Sequence, residues 1–469
     1  MPFPFFNSKE EVIGSDAPDA FYLGRYWDAQ AQRVGRKIQI GGTEPIVVVG
    51  RNRSGKDGTI GTYNLLRLLL CSTFWYDPRG EAAAICLPYR RTLGPTWIIN
   101  PDGLHTEIYP DLKSSKRNPL LDLPWTAELF DEAAAKAEAW IQIEGKDLHW
   151  SRRARGNLVH PLIMWEVMRA AIEGRPPSVL NVRRLLTEPD EFDPVTGEQR
   201  KGLAVTARRM IAEGGPQIAS LMASMAGKMN DEISGSRATG DGQSQWMLSP
   251  PIAADMDTAA GVDFRELGKQ PCSCIFVLSQ PKLETHAAMV REALSSALRA
   301  LYKPSNTVCT FWLNEFATLG KFEAIERALG MVAGCGIRLV FVLQSLSQLK
   351  LYYGDGWENF LGQSCAWVLV GAPSDELTAS YLSRRSGQKT IKQPNIGSNL
   401  NAGGGMGLSS NQNYSQMPWL NESDLYSIKP NFGYVWATGL SGAIPAYFPP
   451  YWDVETLNAR ARRNPYYKG

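Results

Sequence analysis

The 469-residue chain holds 49 Lys and Arg against 47 Asp and Glu, a net charge of +2, with 44% hydrophobic and 20% charged residues. That is the composition of a soluble globular protein with room for two or three domains, and it excludes a wholesale basic coat. Nucleic-acid contact would have to come from local clusters such as Arg152-Arg153-Arg155 or Arg208-Arg209, whose plainer reading is a solvated helix face.

In chain order, residues 1–40 carry aromatics (Phe21, Tyr22, Tyr26, Trp27) and a short basic stretch from Arg33 to Lys37, which predict an N-terminal hairpin or arm. The β-branched run Ile46-Val47-Val48-Val49 then predicts a buried parallel strand. It ends in Gly50, Arg51, Asn52, Arg53, Ser54, Gly55 and Lys56, followed by Asp57, Gly58 and a helical pattern at Ile60, Tyr63, Leu65 and Leu66. A strand, a loop bounded by Gly50 and Gly55, and a helix with Lys56 at its mouth form the arrangement that cradles phosphates. Its glycines let backbone N–H groups turn to an anion, the helix start adds partial positive charge, and Lys56 reaches the outer phosphates. These residues, 50–58, are the candidate ATP site. The Ser or Thr expected after the lysine is Asp57.

Further strands are predicted at 72–77 and 96–100 around an Ala-rich helix, the strand–helix alternation of a parallel sheet. From 126 to about 247 the periodicity is helical, as at 127–141, 158–172 and 203–229, so an all-α insertion is predicted over 126–260 between the nucleotide-binding parts 41–125 and 261–452. Strands resume at 273–278, 308–313, 338–343, 366–370, 434–438 and 446–448, with a helix at 287–302. Residues 390–417, rich in Gly, Asn, Ser and Gln, predict a mobile loop, and the basic segment 453–469 a loose tail. Seven scattered cysteines without a C-x-x-C pair read as buried thiols, and four histidines form no metal motif. No apolar run approaches the roughly 20 residues of a membrane span, and the N-terminus lacks a signal peptide, so the expected location is cytoplasmic.

A phosphate-cradling loop also needs a metal ligand, a residue that activates water and a sensor of the γ-phosphate. The strand ending Phe311-Trp312-Leu313 supplies Glu315 to polarise the attacking water, with Asn314 where an Asp usually holds the Mg2+ shell. Gln344, closing Val340-Phe341-Val342-Leu343, stands at the right height in a parallel sheet to contact the γ-phosphate. A missing carboxylate at 314 and an extra one at 57 make Asp57 and Asn314 the candidate metal residues. The plainer reading of Glu315 and Gln344 is a pair of strand-end residues capping the next helix.

Taken with Asp77-Pro78-Arg79-Gly80-Glu81, Asn118-Pro119-Leu120, Asn314-Glu315-Phe316-Ala317-Thr318-Leu319-Gly320, Gln344-Ser345-Leu346-Ser347-Gln348 and Tyr381-Leu382-Ser383-Arg384-Arg385-Ser386-Gly387, the loop resembles the type IV secretion coupling proteins, TraG/TraD-like conjugative ATPases. The resemblance runs from about residue 20 to 453. It implies an α/β fold, a RecA-like P-loop NTPase domain with an inserted all-α domain. It also implies a homo-hexamer that uses ATP to deliver single-stranded DNA with attached relaxase, or effector protein, to a type IV secretion channel. In that frame Lys56 binds phosphate, Glu315 activates water, Gln344 reports the γ-phosphate, and Arg338 is a candidate charge offered across a subunit interface. Three departures stand out: no membrane-spanning helices, Asp at 57, and Asn at 314. The first leaves room for a separate membrane-anchoring partner holding the chain at the inner-membrane periphery; the others bear on hydrolysis. Two other functions fit the same residues: a soluble DNA-pumping ATPase, and a nucleotide-binding, non-hydrolysing adaptor for another ATPase. The arginines of the insertion (Arg152, Arg153, Arg155, Arg183, Arg184) suit an acidic or nucleic-acid cargo.

Overall fold

The computed structural model describes residues 17 and 19–467, except 144–147, 228, 304, 401–405 and 441, with backbone alone for 391–400 and 406–414. The start of the predicted arm and Lys468 lie outside the described residues. In chain order the strands are β1 (Phe21–Asp28), β2 (Arg33–Ile40), β3 (Ile46–Val49), β4 (Ser72–Tyr76), β5 (Thr96–Ile99), β6 (Glu191–Phe192), β7 (Gln199–Lys201), β8 (Ser273–Phe276), β9 (Cys309–Leu313), β10 (Ile337–Leu343), β11 (Ala366–Val370), β12 (Gln388–Leu400), β13 (Met406–Pro418), β14 (Phe432–Ala437) and β15 (Ile444–Tyr447). The chain divides into two compact units, residues 1–64 with 340–458, and residues 65–339 with 459–469.

In the first unit the strand order is β2-β1-β15-β14-β11-β3-β10. β3 lies between β11 and β10 and is buried along its whole length, as its unbroken β-branched run requires. It pairs in parallel with β10 (Val49 opposite Leu343) and with β11 (Val49 opposite Leu369). The N-terminal hairpin β1–β2 is antiparallel and joins through β15. Residues 390–400 and 406–417 correct the sequence expectation of a loop, and 401–405 lie outside the described residues. β12 and β13 pair antiparallel without a break, from Gln388 opposite Pro418 to Leu400 opposite Met406. A two-stranded ladder is made of backbone hydrogen bonds, so a stretch with few apolar residues forms it without any hydrophobic alternation.

In the second unit the order is β9-β4-β8-β5, all parallel. β5 and β8 are neighbours in register (Thr96 opposite Ser273), yet the helical stretch Leu129–Trp140 to Pro250–Met256 lies between them in sequence. It carries one small hairpin, β6–β7, which the periodicity did not show. The predicted 203–229 helix is broken into Leu203–Glu213 and Gly215–Met222, because Gly215 takes a φ of +79° and Pro216 has no N–H to continue the ladder.

This stretch is tied to the long helix Gln280–Ala300 by a buried charge network. Glu292 faces Lys136 Nζ at 2.7 Å and Arg117 Nη1 at 3.2 Å, while Asp122 accepts from Lys136 at 2.7 Å and Ser296 Oγ lies 2.6 Å from the same ammonium. Burial works against the Asp122 anion, but Arg117 and Lys136 hold its carboxyl below the usual range. Two cations and two carboxylates balance, so removing one strands a buried charge. Glu292→Leu is expected to cost about 3–5 kcal/mol in urea unfolding, much of it recovered by adding Lys136→Met. An unfolding midpoint unchanged in Glu292→Leu would show that the network holds nothing.

The C-terminal segment is also corrected from a loose tail. Arg460 Nη1 donates to Leu66 O at 2.9 Å, Arg462 Nε to Ala84 O and Nη1 to Asp111 at 2.8 Å, and Arg462 stacks 3.8 Å above the Tyr109 ring. Tyr109 donates to Arg463 O at 2.7 Å and Tyr466 to Arg79 O at 2.9 Å. These arginines satisfy carbonyls and stack on aromatic faces, roles that composition alone presents only as charge. Among the described residues no helix is long and apolar enough to cross a membrane. All seven cysteines are free, five of them buried, and burial pushes the Cys272 thiol up to about 11.

Candidate nucleotide site

In the first unit the site begins where β3 stops. Gly50 N–H donates to Leu343 O at 3.0 Å, which pins the loop's first residue to the end of β10. A Cβ at Gly50 would lie 2.5 Å from Ser54 Oγ and 3.0 Å from Val370 O, so only glycine fits. Ser54 N–H donates to Arg51 O at 3.1 Å, Arg53 takes φ +64° and Gly55 φ +88°. Alternation of left- and right-handed residues turns successive N–H groups toward one side, the concave nest that binds anions. Arg53, a non-glycine at positive φ, carries backbone strain of the kind found at binding loops.

Thr59 closes the turn, its N–H and its Oγ1 each 2.9 Å from Gly55 O. The helical turn Asp57–Gly61 is wide, π-helical, before the chain settles into the α-helix Thr62–Arg67. The N–H groups ahead of Thr59 belong to the first turn, where a helix offers no carbonyl of its own. Lys56 is only 4% exposed at the helix head, and Asp57 is half-buried beside it. Ser54 Oγ is buried with no hydrogen-bond partner among the described residues, a group that invites a ligand or water. The loop therefore fits a phosphate chain. Arg51 and Asn52 are exposed around it.

Gln344 follows Leu343 directly and so stands beside Gly50. Its N–H donates to Gln348 Oε1 at 3.0 Å and its carbonyl accepts from Ser374 Oγ at 3.3 Å, which fixes its backbone at the strand end. The same unit brings Asn431 to the loop, its Oδ1 3.4 Å from where a Cβ of Gly55 would stand; sequence reading gave no sign of this residue.

In the second unit β9 is followed directly by Asn314 and Glu315, both buried. Asn314 Oδ1 accepts from Glu315 N–H at 3.1 Å, and Glu315 takes φ +50°. Glu315 O accepts from Thr318 N–H at 2.9 Å and Oγ1 at 2.7 Å. A buried glutamate held in the left-handed region at a strand end is strained, and such strain persists where the surroundings impose it. β4 runs alongside, Tyr76 opposite Leu313. Burial first, then the charges of Asp77 and Glu315, push the Tyr76 phenol far above its usual range, so it stays protonated; its hydroxyl has no hydrogen-bond partner among the described residues. Asp77 is a second buried carboxylate at this level, but Ala83 N–H (2.9 Å) and Arg79 N–H (3.2 Å) occupy its two oxygens, so it secures the start of the helix Glu81–Leu93.

Arg338 is corrected as a charge offered to a neighbouring subunit. It is fully buried near the start of β10, and its Nη1 donates to Thr310 Oγ1 at 3.2 Å. The arginines of the helical stretch are largely engaged within the chain. Arg153 pairs with Glu232 at 3.0 Å, Arg155 with Glu323 at 3.4 Å, Arg183 with Asp241 at 2.7 Å and Arg184 with Glu188 at 3.6 Å, leaving Arg152 exposed. Among the described residues no three His, Cys, Asp or Glu side chains group as a metal cage. Magnesium on a nucleotide needs none, since it keeps several waters and takes one or two carboxylates besides the phosphates.

A model of the family described as type IV secretory system conjugative DNA transfer matches residues 5–432. The chain is 31% identical over 357 residues to protein VirD4 of Rhizobium radiobacter, 74% of this chain and 48% of that protein. It is 25% identical over 411 residues to conjugal transfer protein TraG of Escherichia coli, 82% of this chain and 62% of that one. It thus spans about half to three fifths of the length of these curated relatives. Among solved structures, the bacterial conjugative coupling protein TrwBdeltaN70 superposes with a TM-score of 0.63 at 14% identity, over 94% of this chain and 90% of that one. TrwB in complex with ADP and Mg2+ superposes at 0.58 and 15% identity, over 86% and 84%. The fold is α/β and RecA-like, that of the TrwB coupling protein.

Proposed function

The chain belongs to the type IV secretory system conjugative DNA transfer family, and from that premise we propose that it is an ATP-driven coupling protein, recruiting DNA with its relaxase, or a protein cargo, for a type IV secretion channel. The observation that carries this reading is the loop itself, a nest of N–H groups at the end of a buried parallel strand with Lys56 at the helix head and Gln344 beside Gly50. ATP supplies the phosphoanhydride bond, and magnesium would neutralise its phosphates. Lys56 holds the outer phosphates and N–H groups of the loop the inner ones, Asp57 would reach the metal shell, and Gln344 contacts the γ-phosphate. Glu315 orients and polarises the water. The known nucleotide complexes of TrwB, with ADP and Mg2+ among them, support this ligand class.

We place cargo recognition in the helical stretch inserted between β5 and β8, taken as a domain over 126–260. The working form is a homo-hexamer at the inner-membrane periphery, with a further membrane partner. Single-stranded DNA affinity is then expected to fall steeply with salt, log K against log salt having a slope of about −2 or steeper, at about −0.7 per phosphate neutralised. Salt-independent binding, or none, would shift the reading to a protein cargo.

A second reading, a non-hydrolysing adaptor, is favoured by one observation. Asn314 replaces a carboxylate, and its Oδ1 already accepts from Glu315 N–H.

A further inference from the structure

Gly58 stands two residues beyond Lys56, in the first turn of the helix that follows the loop. A Cβ there would lie 3.0 Å from Cζ3 and 3.3 Å from Cη2 of Trp452. The glycine therefore lets the tip of an indole rest on the backbone of that turn, and any side chain at 58 would push it off. Trp452 belongs to the same compact unit and sits in a short 3-10 turn, Tyr451–Asp453. Asp453 N–H bonds to Pro450 O at 3.1 Å and Val454 N–H to Tyr451 O at 3.2 Å, which hold the turn. The Tyr451 ring is buried and meets the indole edge-on, centroids 5.0 Å apart at 81°. Trp452 itself remains 48% exposed. The indole is thus held at its tip while the residue stays half exposed.

Scattered exposed hydrophobic residues are ordinary on a protein surface, so exposure alone says nothing. The position does. The lysine of such a loop serves the β- and γ-phosphates, and the loop N–H groups serve the α- and β-phosphates. Past the lysine the helix turn faces the α-phosphate, from which ribose and base extend. An aromatic ring fixed against Gly58 thus lies at the end of the site where a base leaves the phosphate chain.

We propose that Trp452 is the base-stacking platform of this site, taking the flat ring of a nucleoside di- or triphosphate on the exposed part of its side chain. The proposal rests on the nucleotide-binding reading and adds to it a ligand contact outside the loop. Stacking tolerates any base, since every base has a π-face, so Trp452 gives affinity with little choice between adenine and guanine.

The test is calorimetry of the wild-type chain, Trp452→Ala and Trp452→Phe with ADP, GDP and inorganic pyrophosphate, each with magnesium, after thermal melts show that the variants are folded. Trp452→Ala is expected to weaken ADP and GDP alike by roughly 5- to 100-fold, leave pyrophosphate within about twofold, and be largely rescued by Trp452→Phe. ADP affinity unchanged in Trp452→Ala would overturn the proposal. So would a loss for pyrophosphate as large as that for ADP, which would mean that the indole only braces the loop. A wild-type chain that binds pyrophosphate and ADP equally would overturn it as well, while one that binds neither would overturn the nucleotide reading beneath it.

Discussion

Replacing Lys56 by alanine is expected to lower ATP affinity about a hundredfold or more while the chain stays folded. The ammonium is nearly buried at the head of the helix that follows the nest. Charge-assisted hydrogen bonds to phosphate are each worth about 1.5–3 kcal/mol, and the lysine serves two phosphates. Calorimetry reads the change, and unchanged affinity would remove the P-loop from the site. The same titration without magnesium bears on Asp57. A carboxylate about 4 Å from a phosphate charge costs roughly 4 kcal/mol at an effective dielectric near 20. Wild-type affinity should therefore collapse when the metal is withdrawn, and Asp57→Ser should be less sensitive to it. Affinity indifferent to magnesium would leave Asp57 as no more than a helix-start residue.

Glu315→Gln is expected to separate binding from turnover. The amide keeps the size of the side chain, while the charge that polarises water is lost. General-base groups typically contribute about 10²–10⁴ in rate, so hydrolysis should fall by that factor with ATP affinity within about threefold. Single-turnover hydrolysis and calorimetry on one preparation check both halves. Wild-type turnover in Glu315→Gln would return Glu315 to a structural role at the end of β9.

The parts of the fold legible in the sequence were those where local chemistry and burial agree. Ile46-Val47-Val48-Val49 read as a buried parallel strand, and it is one, flanked in parallel by β10 and β11. Gly50 and Gly55 marked a loop whose geometry needs them, one for lack of room and one for its positive φ. The level of Gln344 was legible because a parallel sheet brings strand ends together, and Leu343 does lie opposite Val49. Where backbone pairing decides without apolar side chains, as in β12–β13, the pattern was silent. Arg338, Arg460 and Arg462 carried the same charge in the sequence as any surface arginine, and only packing shows Arg338 buried on Thr310 and the other two bonded to carbonyls. Trp452 was invisible because its meeting with Gly58 joins distant parts of the chain, and no local pattern announces such a contact.

Asn314 is where the two functional readings part. An amide can hold a water or a metal-bound oxygen, but it lacks the charge that usually fixes the magnesium shell. The most direct measurement is phosphate release by the purified wild-type chain with ATP and magnesium, with and without single-stranded DNA, run beside Lys56→Ala and Glu315→Gln. Turnover that rises with DNA and disappears in both variants is the expected result for an ATP-driven coupling protein. ATP bound tightly by the wild type with no phosphate released, whatever DNA is added, would contradict it and leave the chain a nucleotide-binding adaptor.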